Sequence, residues 1–216
     1  VARSGLSFGL GFFLVQLGKS SLLLLLVVTA TVCIIMGMGL PTVGVYLLLA
    51  SLAAPPLVEL GLNPMAAHLF VLYFGMLSML TPPVAIAAFV AANLAKADAM
   101  RTALESVRIG WPAYLIPFIF VVTPELLFEG SLVAILLIFC KSLVGVFIIT
   151  SGIVGFINVN LNLFTRCIFM IIGAMILMPP SLANEIVWIN IIATAIGGGI
   201  IWLNRREFPK QTDPHS

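Results

Sequence analysis

Gly37-Met38-Gly39-Leu40-Pro41-Thr42 interrupts an uncharged, apolar stretch that covers residues 20–58. As one helix those roughly 39 residues would measure about 58 Å at 1.5 Å per residue, nearly twice the hydrocarbon thickness of a bilayer. The stretch must fold back. Two glycines and a proline put the turning point near its middle and leave arms of about 16 residues each, 21–36 and 42–57. Each arm is shorter than a comfortable span of about 20 residues, so a re-entrant hairpin with its tip inside the membrane stands beside two crossings joined outside it. Such a break exposes amides and carbonyls that lipid cannot satisfy, and it survives only where it faces protein, water, an ion or a substrate. Secondary transporters place their binding sites at breaks of this kind.

Composition points the same way. Apolar residues make up 62% of the 216-residue chain, charged residues 8%, and the mean hydropathy is +1.22. These values lie far from those of a soluble globular domain. The chain reads as an all-α polytopic membrane protein in one membrane domain, with room for six to eight segments of about 20 residues. It begins with Val1 and lacks a basic n-region followed by a short apolar core, so no signal peptide is expected and a C-terminal fragment is. The net charge is +2, with Lys and Arg set between apolar segments, which argues against a nucleic-acid partner. Cys33, Cys140 and Cys167 lie apart in apolar sequence without a CxxC or a neighbouring His, and read as small buried hydrophobes.

Along the chain, residues 6–17 are apolar, Gly-rich and only about twelve long, as the end of a span or an interfacial segment would be. Ala54-Pro55-Pro56, Glu59 and Gly61-Leu62-Asn63-Pro64 form a Pro-bounded connector. Residues 65–95 are uncharged apart from His68, and Thr81-Pro82-Pro83 cuts them in two. Two prolines remove two ladder donors and oppose helix in the residues before them, which predicts a true discontinuity. In residues 96–108, Arg101 and Glu105 stand four apart, and Ala99, Ala103, Leu104 and Val107 make a weakly apolar face, as in a short helix on the membrane surface. Four apolar segments follow, 111–128, 132–157, 163–178 and 186–203, read as C-terminal transmembrane helices. A basic tail at 205–216 ends the chain. The regions are thus 1–110, 111–204 and 205–216. With 96–108 cytoplasmic, four crossings return the tail, with Arg205, Arg206 and Lys210, to the cytoplasm; Arg166 falls near a cytoplasmic helix end, and Glu59, Glu125, Glu129 and Glu185 fall outside. Lys141 lies within an apolar segment and marks a kink or snorkels.

The breaks at 37–42 and 81–83 together offer unpaired carbonyls, the Thr42 and Thr81 hydroxyls, and half-helix ends. Neutral oxygen donors suit a desolvated alkali cation, and a half-helix N-terminus facing a cavity favours a carboxylate. The competing reading is two kinks in packed helices, since Pro and Gly are common in spans. His68 reads as interfacial or structural, Asn93 as polar glue between helices, and Gly197-Gly198-Gly199 as a close helix contact. Glu125 and Glu129 are spaced like a paired acid and base but flank the span, so a solvated outer face is the better reading. The chain holds no GxSxG, HExxH or phosphate-loop motif, and no enzyme is expected.

Gly37 to Thr42, the Pro-bounded connector, Tyr73-Phe74-Gly75-Met76-Leu77-Ser78-Met79-Leu80-Thr81-Pro82-Pro83-Val84-Ala85 and Arg108-Ile109-Gly110-Trp111-Pro112-Ala113-Tyr114 together resemble the second half of the large membrane subunit of tripartite ATP-independent periplasmic (TRAP) transporters. The fused TAXI type is the nearest. The resemblance is specific over 22–128, weaker in the C-terminal helices and absent from the first twenty residues. It implies a permease of the bacterial inner membrane, built as an elevator-type carrier from two inverted repeats, each a hairpin and a broken helix. The second repeat would be the hairpin 21–58 and the broken helix 65–95, followed by the surface helix 96–108; the first repeat would lie outside this sequence. The resemblance further implies sodium as coupling ion, with no other cofactor, and a small organic acid as substrate. The implied partners are a periplasmic substrate-binding protein, the rest of the permease with its small-subunit helices, and membrane lipid. By resemblance, Gly39, Pro41, Thr42, Pro82 and Pro83 would line the substrate site, and Gly37, Met38, Thr42, Thr81 and Val84 the sodium site. The alternative is a channel or passive pore built from the same broken helices. A membrane-embedded enzyme using Glu125, Glu129 or Glu185 would lack an accompanying nucleophile or metal cluster.

Overall fold

The computed structural model describes residues 6–156 and 161–177. The expected span 186–203, Glu185, the triple glycine and the basic tail lie outside the described residues. Ten α-helices and one short 3-10 turn are found among those described. The chain divides into two compact units, Val1–Glu129 and Gly130–Ser216.

In the first unit, α1 (Leu6–Ser20) is a helix longer than the apolar run suggested. Ser21 is extended, and its hydroxyl accepts from the Leu24 amide at 3.4 Å, so α1 stops and α2 (Leu22–Gly37) starts there. The second arm is shorter than expected. It is α3 (Thr42–Leu52), followed after Ala53 by α4 (Ala54–Glu59). Pro55 and Pro56 have no N–H for the carbonyls of Ser51 and Leu52, so the first helix ends and the prolines sit in the opening turn of the next. α5 (Pro64–Leu77) is capped by Asn63, whose Oδ1 accepts from the amides of Met65 at 2.8 Å and Ala66 at 3.3 Å. α6 (Ile86–Ala95) completes the broken helix.

α7 (Ala99–Ile109) is capped by Asp98, whose Oδ1 accepts from the Arg101 amide at 2.7 Å. Its fully buried Ala103 packs with Ala85 and Ala88. The expected partnership of Glu105 with Arg101 is replaced by an exposed ion pair with Arg108 at 3.4 Å, three residues on. α8 (Trp111–Val122) follows after a bend of 40°. It is shorter than the expected segment 111–128 because Pro124 disfavours helix at Thr123 and opens the 3-10 turn Pro124–Leu127. Phe118 of α8 meets Phe70 and Phe74 of α5 edge-on at centroid distances of 5.4 and 5.5 Å. These contacts fix α8 on α5, so the first unit extends beyond the boundary at 110 drawn from the sequence.

The core of this unit gathers Leu25 and Cys33 of α2, Leu49 of α3, Leu57 of α4 and Phe70 and Phe74 of α5. Its outside is also apolar: Val43 is 72% exposed, Leu47 64% and Leu94 83%. Surfaces of that composition belong in lipid or against other apolar helices.

In the second unit, α9 (Leu132–Val154) starts at a Ser131 cap, and α10 (Leu163–Leu177) packs along it. Among the described residues α9 is the one single helix long and apolar enough to cross a membrane. Gly145 and Gly173 admit the close approach: a methyl on Gly145 would fall 2.8 Å from the Leu177 side chain, and one on Gly173 would overlap Ile149. Arg166 of α10 donates from Nε to the Gly152 carbonyl at 2.9 Å and from Nη2 to that of Ile153 at 2.8 Å, capping the end of α9. The reading of all three cysteines as buried is correct only for Cys33; Cys140 and Cys167 are exposed on α9 and α10, where an apolar residue can face lipid.

Candidate functional site

The first break is the four-residue turn 38–41 between α2 and α3. Its Leu40 amide donates to the Gly37 carbonyl at 3.4 Å, and Gly39 turns the chain at φ +81°, where a side chain would be strained. Pro41 opens α3 with no side-chain cap, so the first-turn amides of Thr42, Val43 and Gly44 have no capping side chain. The Thr42 hydroxyl is half-buried and makes no hydrogen bond among the described residues.

The second break is wider than Thr81-Pro82-Pro83, running from the end of α5 at Leu77 to the start of α6 at Ile86. In a continuous helix the Met79 carbonyl would bond residue 83, but Pro83 has no N–H. That carbonyl accepts instead from the Ala87 amide at 3.1 Å, across the break. Ala85 is fully buried and left-handed, at φ +31° and ψ +47°, and it opens α6 without a side-chain cap. Ser78 Oγ donates to the Gly75 carbonyl at 2.6 Å. Thr81 Oγ1 lies 2.6 Å from the Leu77 carbonyl and 2.7 Å from the Tyr114 hydroxyl.

The two breaks meet at Gly37. A Cβ there would fall 2.7 Å from the Gly75 carbonyl oxygen and 2.8 Å from Ser78 Oγ, so the end of α2 lies directly on the end of α5. A Cβ on Gly75 would in turn come 2.5 Å from Val45 and 2.9 Å from Leu49, so α3 approaches the same turn. Gly37 is buried; Met38, Thr42, Thr81, Pro82 and Val84 are half-buried; Gly39, Pro41 and Pro83 are exposed. No hydrogen bond among the described residues joins Thr42 to Thr81.

Sequence reasoning missed Tyr114, Ser78 and Gly75 as parts of this junction. Tyr114 and Thr81 are 33 residues apart, and no local pattern links them. His68 has a structural contact, its Nδ1 lying 3.2 Å from the Tyr46 hydroxyl and tying α5 to α3. Glu129 accepts from Asn63 Nδ2 at 2.7 Å at the surface. Asn93, read as polar glue, is exposed instead. A separate groove of about 290 Å³ between α1, α3 and α4 includes Phe12, Ser51, Pro55 and Glu59 but no residue of either break.

A family model described as "Tripartite ATP-independent periplasmic transporter, DctM component" matches residues 1–135. The match includes the first twenty residues, to which the resemblance read from the sequence did not extend. No curated protein and no solved structure matches the chain.

Proposed function

The chain belongs to the DctM component family of tripartite ATP-independent periplasmic transporters, and from that premise we propose that it carries one hairpin-and-broken-helix repeat of a sodium-coupled carrier for a small organic anion. It is an integral inner-membrane permease component, and its family is one of transporters rather than enzymes. In this reading a periplasmic binding protein hands the anion to the permease, the fused TAXI type is the nearest arrangement, and the rest of the permease and its small-subunit helices complete the carrier. The basic tail is cytoplasmic.

The observation that carries the reading is the meeting of the two breaks, with Gly37 lying on Gly75 and Ser78. Two uncapped helix starts, at Pro41 and Ala85, supply amides suited to a carboxylate. The Thr42 hydroxyl and the carbonyls of the turn supply neutral oxygens suited to an alkali cation. Gly39, Pro41, Thr42, Pro82 and Pro83 are proposed to line the anion, and Gly37, Met38, Thr42, Thr81 and Val84 the sodium ion. The transporter family leaves the passive pore without a supporting observation.

Uptake of an organic acid into proteoliposomes holding the complete transporter should require sodium. Thr42→Val should raise the half-saturating sodium concentration about tenfold, the loss of one oxygen ligand to a charged group. Equal uptake by the unmodified transporter in potassium alone would remove the cation assignment.

A further inference from the structure

We propose that Tyr114 is a positioning residue, holding the Thr81 hydroxyl so that one of its lone pairs is presented to the coupling ion; the proposal rests on the sodium-coupled reading above. A threonine hydroxyl has one proton to donate and two lone pairs with which to accept. The Leu77 carbonyl, 2.6 Å from Thr81 Oγ1, can only accept, so it takes the threonine proton. The Tyr114 hydroxyl, 2.7 Å from the same oxygen, must then be the donor. The bonds run from Tyr114 to Thr81 to Leu77, and a single lone pair of Thr81 is left. The Leu77 carbonyl is already engaged, for it also accepts the amides of Leu80 and Thr81, each at 3.0 Å. The Tyr114 phenol keeps lone pairs of its own on α8, but of the two oxygens that α5 and the break supply to this chain of bonds, Leu77 is engaged and the remaining Thr81 lone pair is the one left to meet an ion.

Tyr114 is well placed for this role because its helix is fixed independently of the break. α8 bears on α5 through Phe118, which packs edge-on to both Phe70 and Phe74. The hydroxyl thus reaches the break from an anchored element, whereas Thr81 sits outside any regular helix, where its own back-bond to Leu77 is the remaining side-chain restraint.

The test uses the complete reconstituted transporter carrying Tyr114→Phe, Thr81→Val, Thr81→Ser and the double variant Tyr114→Phe with Thr81→Val. Two readouts are taken: sodium dependence of uptake, and the rise in unfolding temperature that sodium gives the purified transporter relative to choline. Removing one hydrogen bond should raise the half-saturating sodium concentration about fivefold in Tyr114→Phe, with the maximal rate within about twofold of the parent and a smaller sodium-induced rise. The unfolding temperature in choline should stay close to that of the parent. Thr81→Ser, which keeps the oxygen, should hold its half-saturating sodium concentration well below that of Thr81→Val, and the double variant should be no worse than Thr81→Val alone. Should Tyr114→Phe not fold, the contrast of Thr81→Ser with Thr81→Val carries the same test of the hydroxyl, and equal sodium dependence in those two overturns the proposal. A sodium-dependent parent with an unchanged Tyr114→Phe, or additive losses in the double variant, overturns it while leaving the function intact. A parent indifferent to sodium overturns both.

Discussion

At Gly37 the nearest atom to an added methyl group is a backbone oxygen, the Gly75 carbonyl at 2.7 Å. A flexible side chain can rotate out of the way, but a helix carbonyl can withdraw only by moving its helix. Gly37→Ala should therefore push the turn off α5, with a loss of about 2 kcal/mol of the kind that follows overpacking. Gly39 presents a different case. Its φ of +81° is strained for any side chain, yet nothing lies near the Cβ position, so Gly39→Ala should lose only about 1 kcal/mol. Thermal unfolding of the purified transporter checks the order: Gly37→Ala lowers the transition more than Gly39→Ala, and the reverse order would mean that contact with α5 does not hold the turn.

The helix ends divide into those that a local residue dictates and those that distant packing imposes. Asn63, Asp98 and Ser131 cap the helices that follow them, and the two Gly/Pro breaks fall in the stretches where helix breakers cluster in the sequence. The breaks were legible because each is decided within a turn of the chain; the three caps are as local but were not singled out in the sequence. The early end of α3 before Pro55-Pro56 and the pairing of Glu105 with Arg108 are equally local and were missed, whereas the width of the second break, the Arg166 cap on α9 and the bond from Tyr114 to Thr81 rest on contacts beyond a turn of the chain and were not legible. Ala85 shows why: alanine favours helix, yet here it is left-handed, fully buried and packed with Ala88 and Ala103. The break must turn within a few residues so that Ala87 can reach the Met79 carbonyl, and Ala85 accepts the strain. Ala85→Val adds a branched side chain at positive φ in a closed site and should lose about 2 kcal/mol. Ala85→Gly relieves the strain while giving up a buried methyl, and these opposing terms of about 1 kcal/mol each should nearly cancel. Unfolding curves for the pair check this; equal losses would show that Ala85 is held by its packing rather than by its backbone.

On the scale of the whole molecule, helix length separates the elements. α9, with 23 residues, measures about 34 Å and can cross a hydrocarbon core of about 30 Å, whereas α3, with 11 residues, measures about 16 Å and stops half-way. That difference supports a hairpin whose tip ends inside the membrane over two full crossings, and the two arrangements expose the tip differently. Leu40, 38% exposed at the turn, is the residue to replace. In the complete transporter with Cys33, Cys140 and Cys167 changed to alanine, Leu40→Cys should react with small, charged, membrane-impermeant thiol reagents, because a broken backbone at membrane depth must face water or protein. A tip carried across the membrane by a moving repeat should be labelled from either side, with sodium changing the balance between the two. Two ordinary crossings would instead leave the turn in water on one side only, labelled there at a rate indifferent to sodium. One-sided, sodium-independent labelling would therefore retire the hairpin, while two-sided labelling that sodium redistributes is the behaviour expected if both breaks move as one unit about the coupling ion.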